Sequence, residues 1–178
     1  MPLHKSQEAT GLWFLVLIVV LLSGCAHPPQ PKPSKPDWTS QGSGAFHIDR
    51  GTVFQGAGMA EGITNSSLLR AAADNRARAQ LASVLDQYAN ALFQYAGYDR
   101  QEMATRLAIS TVVHKGLGQA LITDHWYDQT AKRLYANCIL ELAVFKRILM
   151  STPVSGTIDE TLAEKADQVF KAFAADAP

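Results

Sequence analysis

Two thiols, Cys25 and Cys138, and three histidines, His47, His114 and His125, are the side chains of this sequence best suited to chemistry. A thiolate is a nucleophile and a soft metal ligand. A zinc site needs several such groups at short spacing, and no Cys-x2-Cys or His-x3-His occurs. No G-x-S-x-G elbow occurs either. His125 stands between Asp124 and Trp126, but neighbours along a strand point to opposite faces, so Asp124 is not placed to orient it. No catalytic residue, metal ligand or cofactor site is expected, and the chain reads as a non-enzyme.

Cys25 has a more specific setting. Met1 to Gly11 is short and polar, and Leu12 to Leu22 is an unbroken apolar run. A membrane-spanning helix needs about 20 apolar residues, whereas a signal h-region needs about 7–15. The small residues Ser23 and Gly24 follow, then Cys25. Leu22-Ser23-Gly24-Cys25 resembles the lipobox of bacterial lipoproteins. That resemblance implies removal of residues 1–24, diacylation of the Cys25 sulfur and further acylation of the new N-terminus. Two or three acyl chains anchor a protein stably where one is marginal. Ala26 rather than Asp follows the cysteine, which by the same resemblance implies sorting to the outer membrane. With Cys25 lipidated, Cys138 has no partner, so a disulfide framework is excluded.

The elements behind this signal must carry what it delivers. The chain has 178 residues, 47% hydrophobic and 18% charged, a composition of globular domains. Its 16 basic and 16 acidic residues balance, which argues against a nucleic-acid partner. Residues 25–46 read as a tether. Pro28, Pro29, Pro31, Pro33 and Pro36 favour extended backbone, and Ser40, Gly42, Ser43 and Gly44 give way to flexibility. Trp38 is unusual there: it docks on the domain edge or meets a partner.

Residues 47–150 read as an α+β domain. Thr52 to Ala60 is a strand, with Gly56 and Gly58 on one face. They suit close approach of a helix better than a phosphate loop, because Gly62 lies at the wrong interval for a dinucleotide fingerprint. A long alanine-rich helix begins at Asn65 or Ser66 and runs to about Ala96, with Leu68, Ala72, Ala79, Ala82, Ala89 and Phe93 on one stripe and Leu81, Leu85, Tyr88, Leu92 and Tyr95 on the next. Arg70, Asp74 and Arg78 form a ladder on what reads as its solvated face. Asp99 and Glu102 start a second helix, with Met103, Leu107, Ile109, Val112 and Val113 on its apolar side, and Gly116 and Gly118 close it. Gln119–Asp128 and Arg133–Ala143 form a hairpin in which Leu134, Ala136, Cys138, Leu140 and Leu142 face inward. Cys138 is therefore a buried, inert thiol. Residues 151–178 carry a terminal helix after a Thr157–Glu160 capping box, apolar along Leu162, Ala166, Val169, Phe170 and Phe173. It is placed either on its own domain or on a neighbour.

Gly56-Ala57-Gly58, the helix Leu69-Arg70-Ala71-Ala72-Ala73-Asp74-Asn75-Arg76-Ala77-Arg78-Ala79-Gln80-Leu81-Ala82, and a hairpin with Trp126-Tyr127-Asp128 and Leu134-Tyr135-Ala136 resemble, over roughly residues 50–148, the LPP-twenty lipoprotein family. This family takes in surface lipoproteins and the flagellar lipoprotein FlgP. The resemblance implies a compact α+β domain without catalytic residues and a role in envelope or flagellar assembly. The leading expectation is a non-enzymatic lipoprotein, lipid-anchored in the outer membrane, that acts by protein–protein contact or as a homo-oligomer. The alternative is a binding module for a periplasmic ligand such as peptidoglycan, with Tyr135, Ile139, Trp126 and Arg133 as an aromatic–basic surface.

Overall fold

The computed structural model describes residues 34–49 and 51–175. The signal segment and Cys25 lie outside them. In chain order the elements are α1 (Trp38–Gln41), β1 (Gly44–Ile48), β2 (Gly51–Glu61), α2 (Ser66–Tyr95), α3 (Met103–Gln119), β3 (Leu121–Asp128), β4 (Arg133–Glu141), α4 (Leu142–Leu149) and α5 (Glu160–Ala175). The fold is α+β. Its four strands form one antiparallel sheet in the order β1-β2-β4-β3.

The sheet is built around β2, which lies between β1 and β4. One face of β2 presents Phe54, Gly56, Gly58 and Ala60, and α2 lies against it. A Cβ at Gly56 would sit 2.3 Å from the Ala77 carbonyl oxygen and 2.4 Å from the Leu81 nitrogen, and one at Gly58 would sit 2.2 Å from the Ala77 nitrogen. No real Cβ tolerates such distances from backbone, so both glycines are needed for the helix to seat. Opposite them α2 offers Ala73 and Ala77, both fully buried, then Leu81. Past the glycines the face widens to Phe54, and the helix changes to large residues, Leu85, Tyr88, Leu92 and Phe93.

Phe54 is the centre of an aromatic cluster. Its ring lies 4.7 Å from Tyr88, 5.4 Å from Phe145 of α4 and 5.1 Å from Phe170 of α5. Four elements thus meet at one strand residue. Tyr88 keeps its phenol satisfied by donating to the Ala166 carbonyl at 2.7 Å, and burial raises its pKa. The terminal helix therefore packs on its own domain, with Leu162, Ala166 and Phe170 in the core.

Several sequence expectations are corrected. The domain reaches further toward the N-terminus than residue 47: β1 takes Gly44 to Phe46 from the tether, and Trp38–Gln41 is a helical turn. Backbone pairing with β2 outweighs the glycines that suggested flexibility. On α2 the stripe of Leu68, Ala72, Ala79, Ala82, Ala89 and Phe93 faces the core only in part: Ala89 and Phe93 are buried and Ala72 packs against the core, whereas Leu68 and Ala79 are exposed. Leu68 is 61% exposed, and the buried line runs through Ala73, Ala77 and Leu81 instead. The second stripe holds except at Tyr95, which is exposed.

Helix α3 starts at Met103 rather than Asp99, and Met103 and Leu107 point to solvent. Gly116 does not end it. That glycine lets α3 approach Leu140 and Leu85, whose methyls lie 3.2 and 3.3 Å from a Cβ placed there. Leu142 and Ala143 belong to α4, whose buried Leu142, Phe145, Ile148 and Leu149 follow helical spacing. The N-terminus of α5 is capped by Asp159, which accepts from the Thr161 nitrogen at 2.9 Å. Thr157 instead bridges to Val154.

Two predictions follow from this packing. Gly56→Ala forces backbone against backbone and should destabilise by about 3 kcal/mol or more. Gly118→Ala meets open space and should stabilise by about 0.5–1 kcal/mol. Urea unfolding checks both, and equal effects would refute the close-approach account. Tyr98 donates to Asp159 at 2.6 Å and is the largest cause of a lowered carboxyl pKa there. A lowered folded-state pKa gives stability that is present above the unfolded value of about 4 and lost as pH falls below it. Tyr98→Phe should shrink that acid-side loss, measured as unfolding free energy between pH 6 and pH 3.

Candidate functional site

Helices α2 to α5 pack on one face of the sheet, which leaves two polar arrangements to consider: a cluster where α2 crosses β3, and the opposite, outer face.

The cluster forms because a β-bulge at Thr123 resets the alternation of β3, with Ile122 paired to Cys138 and Asp124 to Asn137. His125 then points inward and Asp124 outward. As expected from strand geometry, the Asp124 carboxylate does not reach the His125 ring; it accepts from the His125 backbone nitrogen at 2.8 Å. The ring is held from α2 instead. His125 Nε2 lies 2.5 Å from Asp74 Oδ1, and Arg70 Nη2 lies 3.3 Å from Nδ1. Arg78 donates to the Ala120 carbonyl at 3.3 Å. The Arg70–Asp74–Arg78 ladder is therefore not simply a solvated face: it docks the helix on the edge strand. Both imidazole nitrogens are engaged, so His125 offers no free nitrogen as a general base. The arrangement is a clamp. The i, i+4 spacing of Arg70, Asp74 and Arg78 was a partial signal for it, but the pairing with His125 depends on where α2 crosses β3.

The other titratable candidates are also accounted for. Cys138 is fully buried, and burial is the main cause raising its thiol pKa, so it sits inward and unreactive as its strand position implies. His47 packs its ring on Phe170 at 5.6 Å. His114 lines a cleft of about 470 Å³ between α3 and α4, with Lys115, Arg147 and Ser151. Lys115 donates there to the Ser151 carbonyl and the Thr152 hydroxyl. The lysine thus neutralises carbonyls just past the C-terminus of α4. Carbonyl-rich helix ends disfavour an anion, so the basic lining does not make a phosphate site. Among the described residues, no three His, Cys, Asp or Glu side chains could share a metal ion.

The outer face carries the aromatic–basic residues singled out in the sequence, and the fold brings them together. Trp126 and Tyr135 are register partners with ring centroids 5.4 Å apart. Ile139 lies on the same face of β4, and Arg133 Nε bonds Glu61 Oε2 beside them. All four are partly buried. Sequence reasoning missed two further members, Gln55 and Asn137, which are 3% and 7% exposed. Among the described residues, Trp126 Nε1 and Asn137 Oδ1 are buried without a hydrogen-bond partner. Trp38 settles on this face by donating from Nε1 to Asp124 Oδ2 at 3.0 Å, so it docks on its own domain. Cys25, the expected lipidation site, lies outside the described residues.

The fold and these sites define an α+β domain with one helix-covered sheet face and one aromatic-polar face. In comparisons with known proteins, no family model matches the chain and no curated sequence matches it.

The clamp yields a test. In a double-mutant cycle of Asp74→Ala and His125→Ala, unfolding by urea should show a coupling of about 1 kcal/mol. Additive effects of the two substitutions would refute the clamp.

Proposed function

We propose that this chain is a non-enzymatic lipoprotein, anchored through Cys25 in the outer membrane, that acts by protein–protein contact or self-assembly in the cell envelope. The observation that carries the reading is Leu22-Ser23-Gly24-Cys25, in register behind an apolar run too short to span a bilayer. The likeness of residues 50–148 to the LPP-twenty family adds an envelope or flagellar assembly as the setting. Its partners are the membrane through the lipid, a second copy of the chain, and envelope or flagellar proteins, not nucleic acid. Among the described residues, no helix is long and apolar enough to cross a membrane, so within them nothing competes with the lipid as the anchor.

Of the two placements open to the terminal helix, it takes the one on its own domain, with Phe170 and Leu162 as core residues. What the domain offers for contact is the outer sheet face and the edges of β1 and β3. Strand edges carry unpaired backbone groups and are ready templates for association. Leu121 and Tyr127, 65% and 45% exposed on β3, supply apolar contact there.

The pairing of Trp126 with Tyr135 favours a second reading, a module that binds peptidoglycan or another periplasmic ligand. On that reading Trp126→Ala lowers retention on purified sacculi, and wild-type protein that fails to sediment with sacculi removes it.

The leading reading is tested at the anchor. Cys25→Ser should abolish acyl labelling and shift the protein from the membrane to the soluble fraction. Continued labelling of this variant would overturn the assignment. Sedimentation of the soluble mature chain should show concentration-dependent association, and a monomer at every concentration would count against self-assembly.

A further inference from the structure

Gln55 and Asn137 are buried on the sheet face that α2 to α5 leave open. The segment Trp38–Ser43 is bonded to this face. Gln55 Nε2 donates to the Gly42 carbonyl at 2.7 Å, the Ala57 nitrogen donates to Ser43 Oγ at 2.9 Å, and Trp38 Nε1 donates to Asp124 Oδ2 at 3.0 Å. Ala57, Asn137 and Asp124 are register partners across β2, β4 and β3. The Ser43 and Trp38 anchors therefore stand at the two ends of one row, with Asn137 between them. Helix α1 also contacts β4, the strand in the middle.

The segment is weakly held. α1 is four residues long and none of its residues is fully buried, though Trp38 and Thr39 are half-buried. A single helical turn has no stability of its own in water. The Trp38–Asp124 bond is exposed to solvent. Between the two anchors, Asn137 Oδ1 is buried with no partner among the described residues, and an unpaired buried acceptor favours an open state in which water reaches it. Helices α2 to α5 pack on the opposite face of the sheet.

We propose that Trp38–Ser43 is a releasable strap that swings off the outer face while the rest of the domain stays folded. Release frees the Asp124 carboxylate, the Asn137 carbonyl and the Gln55 amide together, beside the Trp126–Tyr135 pair. The strap is also where the chain before Ser34 joins the domain. Load applied from that side therefore meets the Trp38–Asp124 bond before any core contact.

Hydrogen exchange on the full chain in detergent micelles tests this without reference to any ligand. The reporter is the Ala57 amide, whose partner is Ser43 Oγ, read against amides in the core of α2 between Leu81 and Phe93. In the wild type the Ala57 amide should exchange faster than those core amides. Trp38→Phe keeps a ring but removes the donor, and should speed exchange at Ala57 and across 40–42 by about tenfold with the core unchanged. Asn137→Leu removes the orphan acceptor and should slow the same amides. The proposal is overturned if Ala57 exchanges in step with the core in the wild type and in Trp38→Phe, since the segment then leaves only when the domain unfolds. It is equally overturned if Asn137→Leu speeds strap exchange while leaving the core protected.

Discussion

The contact of α2 with the glycine face of β2 is the constraint on which the rest of the structure depends. Gly56 and Gly58 leave no side chain between strand and helix, and Ala73 and Ala77 leave almost none on the other side. Two backbones thus approach closely over two residues of strand. Further along, the gap opens to accept Phe54 and Tyr88. This wedge sets the angle of the longest helix across the sheet. That angle brings Asp74 to His125 at one end and Tyr88 to Phe145 and Phe170 at the other. Packing interiors are too dense to accommodate a different angle without voids or overlap.

From that contact follows a division of labour between the two sheet faces. The helix-covered face is apolar and satisfied, with its one buried phenol donating to a carbonyl and its one thiol buried. The polar cluster at the β3 edge is spent on holding α2 down. The outer face is different in kind. It has aromatic rings, an ion pair at its margin, and two buried polar atoms without partners among the described residues. The segment bonded to it is the one nearest the proposed membrane anchor.

What could be read from the chain in advance was local. The Asn65 cap, whose side chain accepts from the Leu68 nitrogen, the alternation of Leu134 to Leu140, and the glycines two residues apart at 56 and 58 each report a relation among neighbours. Each survives in the structure because neighbours in sequence stay neighbours in space. The misreadings arose where a local pattern offered two answers. On α2, alanines occur on several faces, so spacing alone chose Leu68 and Ala79 over Ala73 and Ala77. At Gly44, flexibility and strand pairing were both open, and the partner that decided between them, Gln55, lies on another strand.

By itself, then, the sequence determined the α+β class, the hairpin with Cys138 inward, and the need for a close-packed face at Gly56 and Gly58. These rest on spacing and on covalent geometry, which the chain carries wherever it goes. Only the tertiary structure decided that α5 belongs to the core, that Asp74 rather than Asp124 holds His125, and that Trp38 bonds Asp124. Each of these is a meeting of residues far apart in sequence. Such meetings follow from the angle and register at which elements pack, and those are properties of surfaces that exist only once the chain has folded.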